Sequence, residues 1–116
     1  MLLIDADLRC GVIHALFLLP RAPGFSAILT GWWPLEQVVR RVKVGSGQDL
    51  HIVTTGEVAT NPSELLGTGD LAGVFAELRG VYDLIVIDSP PMDVVADATL
   101  LAAHSDGVLV VARAGV

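Results

Sequence analysis

Short runs of consecutive apolar residues recur along the chain and are separated by segments with a different pattern. The runs cover residues 1–5, 84–87 and 108–112, and none of them alternates polar with apolar positions. Continuous apolar runs of this length are typical of strands that are buried on both faces of a sheet. Residues 50–54 form a fourth, weaker run. The pattern therefore predicts four strands.

Between these runs, two segments carry apolar residues at helical spacing. They are Leu35, Val38, Val39 and Val42 in the first, and Leu71, Val74, Phe75 and Leu78 in the second. A third helix is predicted at "NPSELL", where Asn61 is placed as N-cap, Pro62 at the first helical position and Glu64 at the third. The stretches "RAPGF", "TGWWP" and "VGSGQ" indicate turns. Alternating strands and helices predict an α/β fold in one domain, residues 1–116, with a doubly wound, mainly parallel sheet.

Composition removes several classes of function. The 116 residues carry a formal net charge of −6, and their few basic residues form no extended positive surface, so nucleic acid is not expected as a partner. No apolar stretch reaches the roughly 18 residues that span a bilayer. A single cysteine excludes an internal disulfide, and the three histidines show no zinc-ligand spacing.

Three acidic residues follow predicted strands. Asp5 and Asp7 come after the first strand, and Asp88 ends "LIVI". Ligands of doubly wound sheets bind at the carboxyl ends of the strands, and an extended backbone from residue 5 to 7 would put both carboxylates on one side. One such Asp alone is often only a helix or turn cap. Three together favour a site for Mg²⁺ with a nucleotide or another phosphate.

Four motifs, in this order, resemble a known family: "LLIDADLR", "NPSELL", "YDLIVIDSPP" and "DGVLVVARAG". They are similar to motifs of the bacterial tyrosine kinases (BY-kinases) of capsule and exopolysaccharide synthesis, members of the deviant Walker P-loop ATPases. The first resembles the family's Walker A′ motif and the third its Walker B motif. The resemblance implies a P-loop NTPase fold and ATP-dependent phosphorylation of tyrosine.

The resemblance also implies roles for individual residues. Asp88 corresponds to the Walker B carboxylate that holds Mg²⁺ through water, and Pro90 follows it in the nucleotide-binding motif. Asp5 and Asp7 correspond to the Walker A′ acids, which bind metal and nucleotide and accept the proton of the attacking tyrosine hydroxyl. Arg9 corresponds to the arginine that follows this acid pair, and a plain surface role is its alternative.

Two features of the family do not occur in the sequence. A Gly-rich loop with its Lys and Ser/Thr is missing, since the single lysine, Lys43, follows no such loop. The family's tyrosine-rich tail is also missing. We therefore expect the chain to begin inside a larger, N-terminally truncated domain and to be inactive alone. Tyr82, the only tyrosine, is expected to pack against the sheet rather than accept phosphate.

Further expectations come from the resemblance alone. A complete protein would bind ATP and Mg²⁺, phosphorylate its own tail or another tyrosine-containing protein, and form homo-oligomers. It would lie in the cytoplasm at the inner face of the membrane, held by a transmembrane polysaccharide co-polymerase or activator. Two alternatives remain: a partition or septum-positioning ATPase with the same acid motifs, and a receiver-like signalling module, which the distance between Asp5 and Asp88 disfavours.

Overall fold

A computed structural model of the chain describes residues 1–31, 33–45, 47–57, 62–89 and 95–109. Strands and short helices follow one another through these residues. In chain order they are β1 (Leu2–Asp5), α1 (Ile13–Leu16), α2 (Phe25–Thr30), α3 (Leu35–Val38), β2 (Arg40–Val44), β3 (Gln48–Val53), α4 (Pro62–Thr68), α5 (Leu71–Arg79), β4 (Ile85–Asp88) and α6 (Val95–Ala103).

The described strands form one sheet in the order β2-β3-β1-β4. β1 lies in the middle and is parallel to both neighbours: Leu2 lies beside His51 of β3 on one side and beside Ile85 of β4 on the other. The α/β class and the strands predicted near residues 1–5, 50–54 and 84–87 are confirmed. Because both neighbours run parallel to β1, the carboxyl ends of three strands meet at one edge.

The segment from Leu35 to Val42 differs from the prediction. Its helix ends at Val38, and Arg40–Val44 forms β2, which pairs antiparallel with β3. The predicted turn at "VGSGQ" is confirmed as the connection of this hairpin: Gly45 and Gly47 both have positive φ angles, which glycine adopts without strain. The helical prediction for Val39 and Val42 is wrong because pairing with β3 overrides the local pattern.

Each face of the sheet packs against its own apolar cluster. Leu2 and Ile4 of β1 are completely buried on the larger side, together with Phe25 of α2 and Phe75 of α5. The smaller side holds Ile13 with Leu50 and Ile52 of β3. Alternation of side chains along β1 and β3 produces this division, because successive residues of a strand point to opposite faces.

β4 is less buried than its apolar sequence predicts. Val86 is 42 % exposed, and the preceding Leu84 is 54 % exposed. The prediction of burial on both faces is therefore wrong for β4 within the described part of the chain. Val108 and Leu109, the first residues of the predicted last strand, are irregular and exposed, and residues 110–112 lie outside the described ranges.

The remaining predicted elements agree with the structure. α4 begins at Pro62, as the "NPSELL" pattern predicts, although its proposed cap Asn61 lies outside the described residues. α5 covers the second helical pattern and is capped by Asp70, whose side chain accepts a hydrogen bond from the Gly73 N–H. Tyr82 packs against the core, as predicted. Among the described helices, none has the length and apolar character needed to cross a bilayer.

Candidate functional site

The carboxyl ends of β1 and β4 bring two of the predicted acids together. Asp5 and Asp88 are the last residues of their strands and lie directly opposite each other in the parallel register. The pairing extends one residue further, because the Ala6 N–H donates to the Asp88 carbonyl at 2.8 Å. The structure therefore places the two acidic motifs side by side at the edge where doubly wound folds bind ligands.

Asp5 is completely buried, and its carboxylate organises the loop that follows it. Oδ1 accepts a hydrogen bond from the Asp7 N–H, and Oδ2 accepts one from the Ile13 N–H, both at 3.2 Å. The chain bends after Ala6, whose carbonyl accepts from the Leu8 N–H at 3.1 Å, and a turn covers residues 8–10. Both Asp5 oxygens are thus engaged by N–H groups of this loop, and the predicted position of the Asp5 and Asp7 carboxylates on one side stays a prediction.

Asp7 is half-buried and holds the turn itself. Its Oδ1 accepts hydrogen bonds from the N–H groups of Arg9, at 3.3 Å, and Cys10, at 3.1 Å. The Arg9 side chain lies on the exposed side of this turn. Pro90, the other predicted nucleotide-binding residue, lies outside the described residues. Asp7 thus has a capping role in this structure, like Asp5.

Asp88 differs from the other two acids because its side chain is exposed. Partial burial raises the pKa of Asp88, and the neighbouring negative charges of Asp5 and Asp7 raise this pKa further. The charges of Asp5 and Asp7 therefore act on Asp88 in the same direction as its burial. A cation bound beside Asp88 would offset the repulsion, and hard carboxylate oxygens are the ligands that Mg²⁺ prefers.

Gly11 brings the loop backbone directly against Asp5. A Cβ atom at this position would collide with Thr55 Oγ1, and it would lie 2.6 Å from Asp5 Oδ2 and 2.8 Å from the Asp7 carbonyl oxygen. Only glycine permits this close approach. Sequence reasoning did not single out Gly11, because a glycine after a predicted strand indicates only a loop or turn and not a close approach to particular side chains.

Thr55 is the second residue that sequence reasoning missed. It follows β3 at the same edge as Asp5 and is completely buried. Its Oγ1 has no hydrogen-bond partner among the described residues. The adjacent Thr54 is equally buried, but its hydroxyl donates to the Arg21 carbonyl at 2.8 Å. A polar residue just after a parallel strand was the signal in the sequence.

The described side chains do not form a ready-made metal cage. They contain no group of three or more His, Cys, Asp or Glu residues close enough to hold a metal ion. Asp5 and Asp7 are committed to the loop, which leaves Asp88 as the exposed carboxylate of the three. This arrangement suits a metal held through water by one carboxylate and otherwise by groups of the substrate, a mode common for Mg²⁺.

Comparison with known proteins shows which proteins are similar to this chain in sequence. The chain is 42 % identical over 113 residues to EpsB of Ralstonia solanacearum, which is named provisionally as a tyrosine-protein kinase. It is 36 % identical over 115 residues to the tyrosine-protein kinase Etk of Escherichia coli K12 and 34 % identical over 115 residues to YwqD of Bacillus subtilis. Nearly the whole chain is similar to bacterial tyrosine-protein kinases. The resemblance predicted from the four motifs is thereby confirmed.

These alignments cover 97 to 99 % of the chain but much less of the relatives. The chain spans about 15 % of EpsB and of Etk, and 47 % of YwqD. None of the known family profiles matches the chain. The similarity therefore concerns one part of these kinases.

Solved structures agree with the sequence relatives. The VpsO kinase domain superposes with a TM-score of 0.81 at 39 % identity, over 90 % of this chain and 51 % of that domain. The Etk kinase domain gives a TM-score of 0.79 at 36 % identity, over 89 % of this chain and 39 % of the Etk chain. The septum site-determining protein MinD of Pyrococcus horikoshii superposes with a TM-score of 0.56 at 22 % identity, over 85 % of this chain and 41 % of MinD. At this identity the similarity concerns the fold alone. The P-loop ATPase type of fold is confirmed.

Proposed function

We propose that residues 1–116 supply the acidic half of the active site of an ATP-dependent protein-tyrosine kinase that regulates capsular or exopolysaccharide synthesis. The observation that carries the proposal is the parallel register of Asp5 with Asp88, which joins the Walker A′-like and Walker B-like motifs at one edge. The similarity to named tyrosine kinases supports the substrate class. Their higher identity favours a kinase over a septum-positioning ATPase.

Mg²⁺ and ATP fit the residues that the chain contributes. Asp88 is exposed and is repelled by Asp5 and Asp7, so a cation beside it offsets an unfavourable charge arrangement. Bound Mg²⁺ would neutralise charge on the phosphates during transfer. A solved MinD structure of the same fold contains Mg-ADP. The chain has no Gly-rich loop with Lys and Ser/Thr, so we propose that phosphate contacts come from residues outside it.

The two Walker A′-like acids have separate tasks in this proposal. Asp7 lies on the loop, where its Oδ1 accepts two backbone hydrogen bonds, and in this proposal its carboxylate would receive the proton of a tyrosine hydroxyl. Asp5 is fully buried and fixes the loop. Arg9, on the exposed side of the turn, would meet the substrate or the nucleotide at the surface.

A hybrid kinase tests the proposal. Residues 1–116 replace the matching segment of the Etk kinase domain, and transfer of labelled phosphate from Mg-ATP is measured. We expect an active hybrid, and loss of at least about 100-fold in activity for Asp88→Asn, because charge neutralisation at the transition state is the largest contribution in such sites. Arg9→Ala should lose less.

Asp83→Asn is the matched control, since Asp83 is also an exposed aspartate flanking β4, at the opposite end of the strand. It should retain the activity of the parent hybrid. An Asp88→Asn hybrid as active as the parent would contradict the Walker B assignment. A correctly folded parent hybrid without activity would contradict the kinase proposal itself.

Partners follow from the same proposal. A tyrosine-containing protein or the enzyme's own tail would be the phosphate acceptor, and homo-oligomers would form around the complete domain. A transmembrane co-polymerase or activator would hold the protein at the cytoplasmic face of the membrane. Size measurements on the full-length kinase, with and without its membrane partner, test these assignments.

A further inference from the structure

Two neighbouring threonines at the end of β3 are equally buried but differently bonded. The Thr54 hydroxyl donates to the Arg21 carbonyl at 2.8 Å, whereas Thr55 Oγ1 has no partner in the described structure. A buried hydroxyl without a hydrogen bond costs free energy that valine, of the same shape, would not. Thr55 is therefore a position at which the free protein would be more stable with a different residue.

The backbone around Thr55 is fixed, so its hydroxyl remains at this place. The Thr55 carbonyl accepts from the Ser26 N–H at 3.0 Å, and the Thr54 carbonyl accepts from the Phe25 N–H at 2.7 Å. Both donors belong to the first turn of α2. The β-branched side chain of threonine is also restricted in χ1. Thr55 Oγ1 is thus a rigidly placed donor.

The Thr55 hydroxyl lies near the Walker A′-like acid. Thr55 Oγ1 and Asp5 Oδ2 both lie against Gly11, around the point that a Cβ on that glycine would occupy. Asp5 Oδ2 is at present bonded to the Ile13 N–H, at the far end of the loop. Because Asp5 is completely buried under this loop, a ligand can contact it only after the loop has moved. That movement would remove the Ile13 hydrogen bond.

We propose that Thr55 is a positioning residue of the kinase site, whose hydroxyl hydrogen-bonds the Asp5 carboxylate when the Gly11 loop opens to admit the magnesium nucleotide. Thr55 then replaces the Ile13 N–H as donor and keeps the carboxylate oriented. The inference rests on the proposed kinase function. It explains why a costly buried hydroxyl stands next to the acid: the partner that satisfies it belongs to the loaded state.

The first measurement is the thermal stability of the free 116-residue chain. Thr55→Val should melt at the same temperature as the parent or higher, because it removes an unsatisfied hydroxyl. Thr54→Val, the matched control, should melt lower, because it removes the hydrogen bond from the Thr54 hydroxyl to the Arg21 carbonyl, which then keeps only the Gly56 N–H as donor. A Thr55→Val chain that is less stable than the parent, by as much as Thr54→Val, would overturn the inference, since the hydroxyl would then have a partner in the free state.

The second measurement uses the Etk hybrid and follows both Mg-ADP binding by calorimetry and phosphate transfer. Thr55→Val should weaken Mg-ADP binding or lower kcat by about tenfold. This is the lower end of the effect expected when a hydrogen bond to a charged group is lost. Thr55→Ser, which keeps the hydroxyl, should restore parental values, and Thr54→Val should match the parent below its melting temperature. A purely structural role would not produce this rescue by serine.

The outcomes separate the two proposals. A parent hybrid that binds Mg-ADP and transfers phosphate, with a Thr55→Val variant equal to it in both, overturns the role of Thr55 and leaves the kinase proposal standing. A folded parent hybrid that does neither overturns the kinase proposal, and the role of Thr55 with it. Weaker binding or lower kcat in Thr55→Val, together with rescue by Thr55→Ser, supports both.

Discussion

The polar groups at the two ends of strands β1, β3 and β4 differ in whether they have favourable partners. At the amino end, His51 Nδ1 and the Tyr82 hydroxyl share a hydrogen bond of 2.7 Å, and their rings meet edge to face at 5.3 Å. At the carboxyl end, Asp88 is repelled by two other carboxylates, and the buried Thr55 hydroxyl has no described partner. Both ends belong to the same strands.

The difference indicates that the polar groups at the carboxyl end contribute less to stability than those at the amino end. Satisfied polar pairs such as His51 with Tyr82 join parts of the fold that are distant in sequence. Like charges and unsatisfied donors destabilise a fold, and they are typical of sites that are completed by a ligand. The carboxyl end has both features, which supports the proposed nucleotide site at this end. Four substitutions test this comparison.

Asp5→Ala should produce the largest change, because Asp5 belongs to the carboxyl end but serves the fold. It leaves the partly buried Asp7 N–H and the buried Ile13 N–H without their acceptor, at a cost of about 2–4 kcal/mol in the free energy of unfolding. Chemical denaturation measures the loss. Asp5→Asn, which keeps one acceptor oxygen, should lose less. A change below about 0.5 kcal/mol, the range of ordinary surface substitutions, would remove the structural role of Asp5.

Gly11→Ala should destabilise the free chain by about 1–3 kcal/mol, because the added methyl group overlaps Thr55 Oγ1 and crowds two further oxygens. We expect the loop to move outward, so the Ile13 amide should also exchange with deuterium faster than in the parent. Gly107→Ala is the control, since a Cβ at Gly107 would meet nothing within 4 Å. Unchanged exchange at Ile13 would show that the loop does not depend on this close approach.

Tyr82→Phe tests the amino end of the strands, where the Tyr82 hydroxyl is hydrogen-bonded to His51. It removes the partner of His51 while keeping the ring, and it should cost about 1 kcal/mol, the net value of one typical hydrogen bond. A double-mutant cycle with His51→Ala isolates the interaction from the packing of each ring. A coupling energy indistinguishable from zero would mean that the amino end is no better satisfied than the carboxyl end.

Asp88→Asn should have the smallest effect on stability, and in the opposite direction. The pKa of Asp88 is raised in the folded protein above its ordinary value of 3.8, so the folded state binds the proton more tightly than the unfolded state. The contribution of Asp88 to stability is therefore most favourable below that value and is lost as the pH rises through the folded pKa. Removing the charge should stabilise the chain at neutral pH.

The gain should be below about 1 kcal/mol, because the carboxylate is exposed and water screens its repulsion. Melting temperatures measured from pH 3 to pH 7 test both parts: the difference between Asp88→Asn and the parent should grow with pH and then level off. Loss of stability at neutral pH would contradict the view that Asp88 is placed for a ligand rather than for the fold. Asp83→Asn again serves as the control.

The sequence allowed the central part of the fold to be predicted, because short continuous apolar runs such as those of β1 and β4 are typical of strands in parallel sheets. It was misleading from Leu35 to Val42, where apolar residues at helical spacing continue through Val42. There the pattern of residues 40–44, with Val42 and Val44 separated by Lys43, also fits a strand. Only the pairing with β3 across the glycine turn decides between the two.

At the site, the acids could be predicted but their present contacts could not. Asp5 and Asp88 follow apolar runs, and that position indicates the carboxyl edge of a parallel sheet. The burial of Asp5 depends on the loop that folds back through Gly11, and the state of Thr55 depends on which donors reach it. Both are consequences of packing between segments far apart in sequence, which no local pattern contains.

The position of β1 in the sheet also has a kinetic consequence. β2 and β3 are joined by a short turn, so their pairing closes a small loop, whereas Leu2 must find His51 and Ile85, about 50 and 80 residues away. Contacts of such long sequence separation slow folding. On the ribosome, the apolar β1 is synthesised before either of its partner strands. An unpaired apolar strand is prone to pair with other chains until its own partners have been made.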